Sequence, residues 1–204
     1  ARGVIEKNAQ EEEELRAKLE VINAGFKSLG AEEVHYPVEA RIMAAMLVQG
    51  TFDQLNTVFN NSLKHMQGLR DTVTAADKKL KKVQAGAAAA MADTALVNLL
   101  EKGGNIVDLF EGSANLLQEL LNGLKKKQFA GAGFVIVDDG NRLHLGAYCG
   151  PDAIAAGLQA GKLIQELGPL AGGKGGGKPD QARGAAPQRD KATELLAAAK
   201  KKLG

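Results

Sequence analysis

Tryptophan is absent from this chain, aromatic residues make up 4% of it, and Cys149 is its one cysteine. A single cysteine excludes an internal disulfide and fits a reducing compartment. The three histidines, His35, His65 and His144, are scattered without metal-ligand spacing, and Cys149 has no His or Cys neighbour in sequence. A tetrahedral zinc site is therefore not expected, nor any other metal or cofactor. No unbroken run of eighteen apolar residues and no signal-type N-terminus occurs, so the reading is cytoplasmic with no membrane partner. The chain opens at Ala1 without Met and is expected to be a piece of something longer. Charge of one sign is also lacking: the net is +2, too little for a global polycation. Catalytic pairs are missing as well. Asp138-Asp139 precede Gly140-Asn141, where a turn needs Asp for its own hydrogen bonds, and His144 reads as a structural or surface residue. No catalytic residue is assigned, and the chain is read as a non-catalytic piece.

What the chain does have is glycine, concentrated in Gly172-Gly173-Lys174-Gly175-Gly176-Gly177-Lys178-Pro179-Asp180-Gln181-Ala182-Arg183-Gly184. Glycine allows positive φ and close approach of backbone to another molecule. Consecutive N–H groups in such a bend can cradle an anion. Lys174, Lys178 and Arg183 lie in this stretch with Asp180 the only acid, so it reads as a phosphate-contacting loop. A flexible linker is the bland alternative, but a helical pattern follows the stretch as well as preceding it. A nucleotide-binding P-loop is excluded, because Pro179 stands where a Ser or Thr must follow the lysine. From Lys162 to Lys202 nine Lys/Arg oppose Glu166, Asp180, Asp190 and Glu194, which leaves about +5 on the C-terminal end.

The first half of the chain is helical by periodicity. Leu15, Leu19, Ile22, Phe26 and Leu29 form a four-and-three seam over residues 1–29, with Glu11 to Glu14 on a solvated face. Gly30 ends this helix, and Pro37 opens a second one to about Gln49. Phe52, Leu55, Phe59, Met66, Leu69, Val73, Leu80 and Val83 then fall on one heptad seam, with Ser62 and Ala76 filling the gaps. About 35 helical residues extend about 50 Å, and such a seam must be buried. An intramolecular helical hairpin with residues 1–49 is favoured over pairing with a second chain. Gly86 breaks the helix in this reading, before a short one from Ala87 to Lys102.

Beyond Gly103-Gly104 the texture changes. Ile106 to Phe110 reads as a strand, Ser113 to Lys127 as a helix, and Phe134 to Val137 as a buried strand. Asp139-Gly140-Asn141 turns into a returning strand from Arg142 to Cys149. A helix follows from Pro151 to Leu167, then the glycine stretch, then a helix from Arg189 to Leu203. The fold class is α+β: a coiled-coil-like helical arm over residues 1–89, and a small α/β globular domain over 90–204 with a sheet of three or four strands.

The run G-G-K-G-G-G-K-P-x-x-A-R-G, after a helix ending Ile164-Gln165-Glu166-Leu167, resembles the C-terminal domain of alanyl-tRNA synthetases, a module related to the domain accompanying DHH phosphoesterases. The likeness covers about residues 90–203. Residues 1–89 match only as the helical arm placed before that module. Gln181, where the family more often has Met or Leu, and Ala185-Ala186, in place of part of a second glycine cluster, are departures. The resemblance implies recognition of the outer corner of alanine-specific tRNA through Gly172, Gly173, Lys174, Gly175, Gly176, Gly177, Lys178, Pro179, Gln181, Arg183 and Gly184, linked by the arm to aminoacylation and editing domains. A structural module that forms a homodimer through the arm is the alternative from another class. The substrate-gripping domain of a DHH-type phosphodiesterase is a third reading, but that family's His within the Gly-Gly motif is missing here.

Overall fold

The computed structural model describes residues 2–37, 52–101 and 103–204. The expected helix from Pro37 to Gln49 lies outside the described residues apart from Pro37. Two compact units result, Ala1–Gln84 and Ala85–Gly204, and the division falls inside one long helix.

In the first unit, α1 (Arg2–Ser28) packs against the first part of α2 (Phe52–Glu101). Leu19, Ile22 and Phe26 close on Leu69, Val73 and Ala76, as the two seams require, with Leu15, Leu80 and Val83 at the margin. The side chains of Phe52 and Leu55 lie outside what is described. The seam is thus met within the chain, but not by a hairpin. Glu11 pairs with Arg70, Glu12 with His65, and Lys79 lies over the Phe26 ring, so α1 and α2 run parallel. Residues 31–37 carry the chain back along α1: Asn23 exchanges two hydrogen bonds of 2.9 Å with the Val34 backbone, and Arg16 donates to the carbonyl of Pro37. Tyr36 then reaches α2 by donating to the His65 carbonyl. An extended return makes parallel packing possible where a tight turn would force an antiparallel pair.

Gly86 does not break α2, which runs unbroken to Glu101. A helical glycine costs only about 1 kcal/mol relative to alanine, and six alanines nearby, at 85, 87–90 and 92, offset it. Residues Phe59–Glu101 include a window apolar enough, by length and composition, to cross a membrane, with mean hydropathy 1.3. Alanine supplies much of that hydropathy, and Ala88, Ala92, Leu96 and Leu99 are core residues of the second unit.

The second unit is a five-stranded sheet covered on both faces. Its strands are β1 (Ile106–Glu111), β2 (Ala132–Asp138), β3 (Leu143–Cys149), β4 (Lys174–Gly177) and β5 (Gln181–Ala186), in the order β1-β2-β3-β5-β4. The β1–β2 pair is parallel, joined through α3 (Ala114–Lys126), and the other pairs are antiparallel. Side chains alternate across a strand. On β2, Val135 and Val137 face Leu116, Leu117, Leu120, Leu121 and Leu124 of α3, while Phe134 and Ile136 face the opposite layer. That layer holds α5 (Ala160–Leu167) and α6 (Ala192–Leu203), with Leu163, Ile164, Leu195 and Ala199 in its core.

Two expectations need correction here. The helix read from Pro151 to Leu167 is two pieces, α4 (Pro151–Ala155) and α5. Gly157 takes φ +87° between them, and the Ala160 amide at the start of α5 donates to the Pro179 carbonyl. The sheet has five strands rather than three or four, because the glycine-rich stretch forms the β4–β5 hairpin.

At the β2–β3 turn, Asp139 accepts from the Asn141 and Arg142 amides at 2.8 Å and bonds His144 Nε2 at 2.6 Å. Burial works to raise the Asp139 carboxyl, but these hydrogen bonds outweigh it and hold the group near 2, below the usual 3.8. A depressed carboxyl stabilises the fold above its unfolded value and ceases to do so as pH falls through the folded one. Asp139→Asn is expected to lower the thermal midpoint at pH 7, with the difference from the parent vanishing between about pH 4 and pH 2. In the first unit, Phe26 is fully buried. Phe26→Ala is expected to cost about 3–5 kcal/mol in denaturant titration of that unit's transition. Two glycines should separate under the same measurement. An added Cβ at Gly175 meets the Arg183 oxygen and Gly184 Cα, each at 2.4 Å, whereas one at Gly86 meets nothing within 4 Å. Gly175→Ala is expected to destabilise by about 1–3 kcal/mol and Gly86→Ala to stabilise by about 0.5–1 kcal/mol.

Candidate nucleic-acid interface

The glycine-rich stretch is a paired hairpin rather than a free loop. Gly172 alone among its glycines takes positive φ, at +68°, closing the turn of 3-10 helix Gly168–Ala171. Lys174 to Gly177 then pair with Ala185 to Ala182. The turn Lys178-Pro179-Asp180-Gln181 is closed by the Lys178 amide on the Gln181 carbonyl at 2.9 Å, and Pro at its second position is pre-set for such a turn. Two further bonds pin it: Cys149 N–H donates to the Asp180 carbonyl and Ala160 N–H to the Pro179 carbonyl. The expected cradle of consecutive free amides is therefore not built. Gly172 N–H goes to the Pro169 carbonyl and Gly173 N–H to that of Gly168.

The glycines serve close packing. A Cβ on Gly175 would also stand 2.7 Å from Ile164 of α5, one on Gly184 3.0 Å from the same side chain, and one on Gly173 2.7 Å from the Ala186 methyl. On the helix side, a Cβ at Gly161 would meet the Gly177 carbonyl oxygen at 2.9 Å. One face of the hairpin, made of glycines and the buried methyls of Ala182 and Ala186, is thus laid closely on α5. The longer side chains go to the other face, the one shared with α3. Arg183, paired with Gly176, reaches the Gln118 side chain of α3, and Lys174 lies two residues from Gly176 on the same side.

A groove of about 500 Å³ lies between α3 and this face, lined by Gln118 and Lys125 from α3 and by Gly176, Gly177, Lys178, Asp180, Gln181, Ala182 and Arg183. Gln118 donates to Asn122 Oδ1 at 2.8 Å, which turns its carbonyl oxygen toward the Arg183 guanidinium. Lys125 Nζ lies 3.3 Å from Asp180 Oδ2 on the far wall. Among the described residues, Lys174 and Lys178 enter no ion pair. Other C-terminal cations do: Arg189 with Asp138, Lys191 with Glu194, and Lys202 with Glu166.

Of the residues expected at the site, Gly176, Gly177, Lys178, Gln181 and Arg183 line the groove. Lys174 is exposed on β4, and Pro179 is exposed at the turn. Gly172, Gly173, Gly175 and Gly184 do not line it. Sequence reasoning missed Gln118, Asn122 and Lys125, which precede the glycine stretch by about fifty residues or more. The visible signal was the run Lys125-Lys126-Lys127, which also has a local explanation as cations at a helix C-terminus. Nucleophilic chemistry has no support at the adjoining cysteine: burial, aided by the nearby Asp180 charge, pushes the Cys149 thiol up to about 11. Among the described residues no three His, Cys, Asp or Glu side chains gather as a metal site.

Known proteins are similar to parts of this chain. Residues 106–204 match the DHHA1 domain model. The chain is 45% identical over 190 residues to an alanine–tRNA ligase of Akkermansia muciniphila, covering 90% of this chain and 20% of that protein. It is 36% identical over 129 residues to the ligase of Opitutus terrae, covering 59% of this chain and 13% of the relative. The C-Ala domain from Aquifex aeolicus alanyl-tRNA synthetase, a crystal structure, is similar at 24% identity with a TM-score of 0.42, covering 48% of this chain and 89% of that one. The chain spans about a fifth of the length of the first of these relatives. Residues 106–204 are therefore a DHHA1 domain, and 90% of the chain is similar to a segment of an alanine–tRNA ligase.

Proposed function

We propose that this chain is the tRNA-binding C-terminal part of an alanine–tRNA ligase, acting in the cytoplasm without catalytic residues of its own. In this reading it grips the outer corner of alanine-specific tRNA and links that contact, through its helical arm, to aminoacylation and editing domains elsewhere in the longer protein. The observation that carries the reading is the groove beside the β4–β5 hairpin. Lys178, Arg183 and Lys125 line it, and Lys174 stands on the same side. Cations set on a fixed framework neutralise phosphates and orient the RNA, while shape decides which RNA fits. Aromatic stacking contributes little here, since the described groove is lined by amides, glycines and charges. Tethering a second tRNA contact raises the effective concentration of tRNA at the distant reaction sites.

Support against the structural-module alternative comes from the first unit. The part of the α2 seam formed by Leu69, Val73 and Ala76 is already covered by α1 of the same chain, so it offers no free stripe to a second one.

Titration of the chain with whole tRNA and with a minihelix lacking the corner tests the reading. Whole tRNA is expected to bind more tightly. Lys174→Ala with Lys178→Ala should weaken whole-tRNA binding and reduce the slope of log K against log salt by about one to two. Unchanged affinity and slope in the double variant would remove the hairpin from the interface.

A further inference from the structure

Asp180 is the one acid lining an otherwise basic groove, and its side chain does nothing for the turn that holds it. The turn is fixed by backbone: the Asp180 carbonyl accepts from Cys149, that of Pro179 from Ala160, and that of Gln181 from Lys178. Lys125 Nζ, 3.3 Å from Oδ2, is the carboxylate's partner, and the two side chains remain 62% and 39% exposed, open to a ligand. The charge is felt nearby, since it contributes to raising both the Tyr148 hydroxyl and the Cys149 thiol after the larger effect of burial.

Given the RNA-binding reading of the groove, on which this rests, we propose that Asp180 is a selectivity residue that excludes phosphate from the part of the groove beside Lys125. Any phosphate placed there meets a like charge and must compete with it for Lys125. Phosphates are welcome at Lys174, Lys178 and Arg183 and unwelcome between Lys178 and Lys125. A folded RNA holds its phosphates at fixed positions and can present a neutral part of its surface to the carboxylate. A flexible strand carries phosphates at every nucleotide and has to order itself to avoid the acid, which costs conformational entropy at each contact. The carboxylate therefore lowers binding of unstructured polyanions more than binding of a shape-matched RNA.

Asp180→Asn keeps the side-chain volume and the backbone bonds of the turn. The variant chain is titrated over a salt series with whole tRNA and with a single-stranded homopolymer RNA of the same length. Homopolymer binding is expected to tighten about five- to tenfold, its salt slope steepening by about one as Lys125 becomes available. Whole-tRNA affinity is expected to change by less than about twofold. Equal tightening of both RNAs overturns the proposal, because Asp180 then acts as bulk charge alone. No change in either overturns it too, and the Lys174, Lys178 double variant then separates the cases. If that variant still weakens tRNA binding, the groove remains the interface and only the selectivity role falls. If it does not, the RNA reading falls with it.

Discussion

The contact on which the second unit's surface depends is backbone laid against helix: Gly175 and Gly184 on Ile164, and Gly177 on Gly161. These approaches leave no room for large side chains, and that face of the hairpin carries only glycines and the buried methyls of Ala182 and Ala186. The charged side chains stand on the opposite face or at the turn. Alternation puts Lys174 and Arg183 on one face, since Arg183 pairs with Gly176, and Lys178 follows at the turn. The sheet edge is anchored by its small-residue side and displays its cations on the other, facing α3.

Ion pairing completes the selection. The unit from Ala85 to Gly204 carries 14 Lys/Arg and 12 Asp/Glu, so its total charge says little about an anionic partner. The acids are placed unevenly, however. Asp138, Glu194 and Glu166 sit on Arg189, Lys191 and Lys202, away from the groove. Exposed pairs of this kind add little to stability, but they cancel the local field of the cations they meet. Among the described residues, Lys174 and Lys178 are left without an ion pair where the hairpin displays them.

How much of this could be read from residues depended on whether the packing involved side chains. β2 was legible because Val135, Ile136 and Val137 are buried on both faces and leave an uninterrupted apolar run. The α1 and α2 seams were legible for the same reason, at helical spacing. Lys174 to Gly177 carry no apolar alternation, since the close-packed element there is backbone, and the stretch read as a loop. The parallel course of α1 and α2 goes with the return of residues 31–37, held by side-chain hydrogen bonds of Asn23 and Arg16 that leave no periodic trace. Gly86 and Gly157 show that one residue type does opposite things. Gly86 stays helical among alanines, whereas Gly157 takes φ +87° next to a helix start that the hairpin turn holds. The contribution of α3 to the groove was invisible, because Arg183 and Gln118 are 65 residues apart and meet only through the sheet.

On the proposed RNA-binding reading, a site of such modest charge cannot discriminate by attraction alone, since every RNA carries the same phosphates. Discrimination requires that the charges be held still, so that a partner with the wrong spacing gains less. Arg183 is held by Gln118, whose amide is oriented in turn by Asn122 one helical turn on. The acid opposite Lys125 sits on a turn tied to β3 and α5 by two backbone bonds. Both walls are therefore fixed to packed elements rather than to mobile loops. On that reading, rigidity and the placing of one opposing charge supply a selectivity that a larger positive charge, raising affinity for every RNA alike, would not.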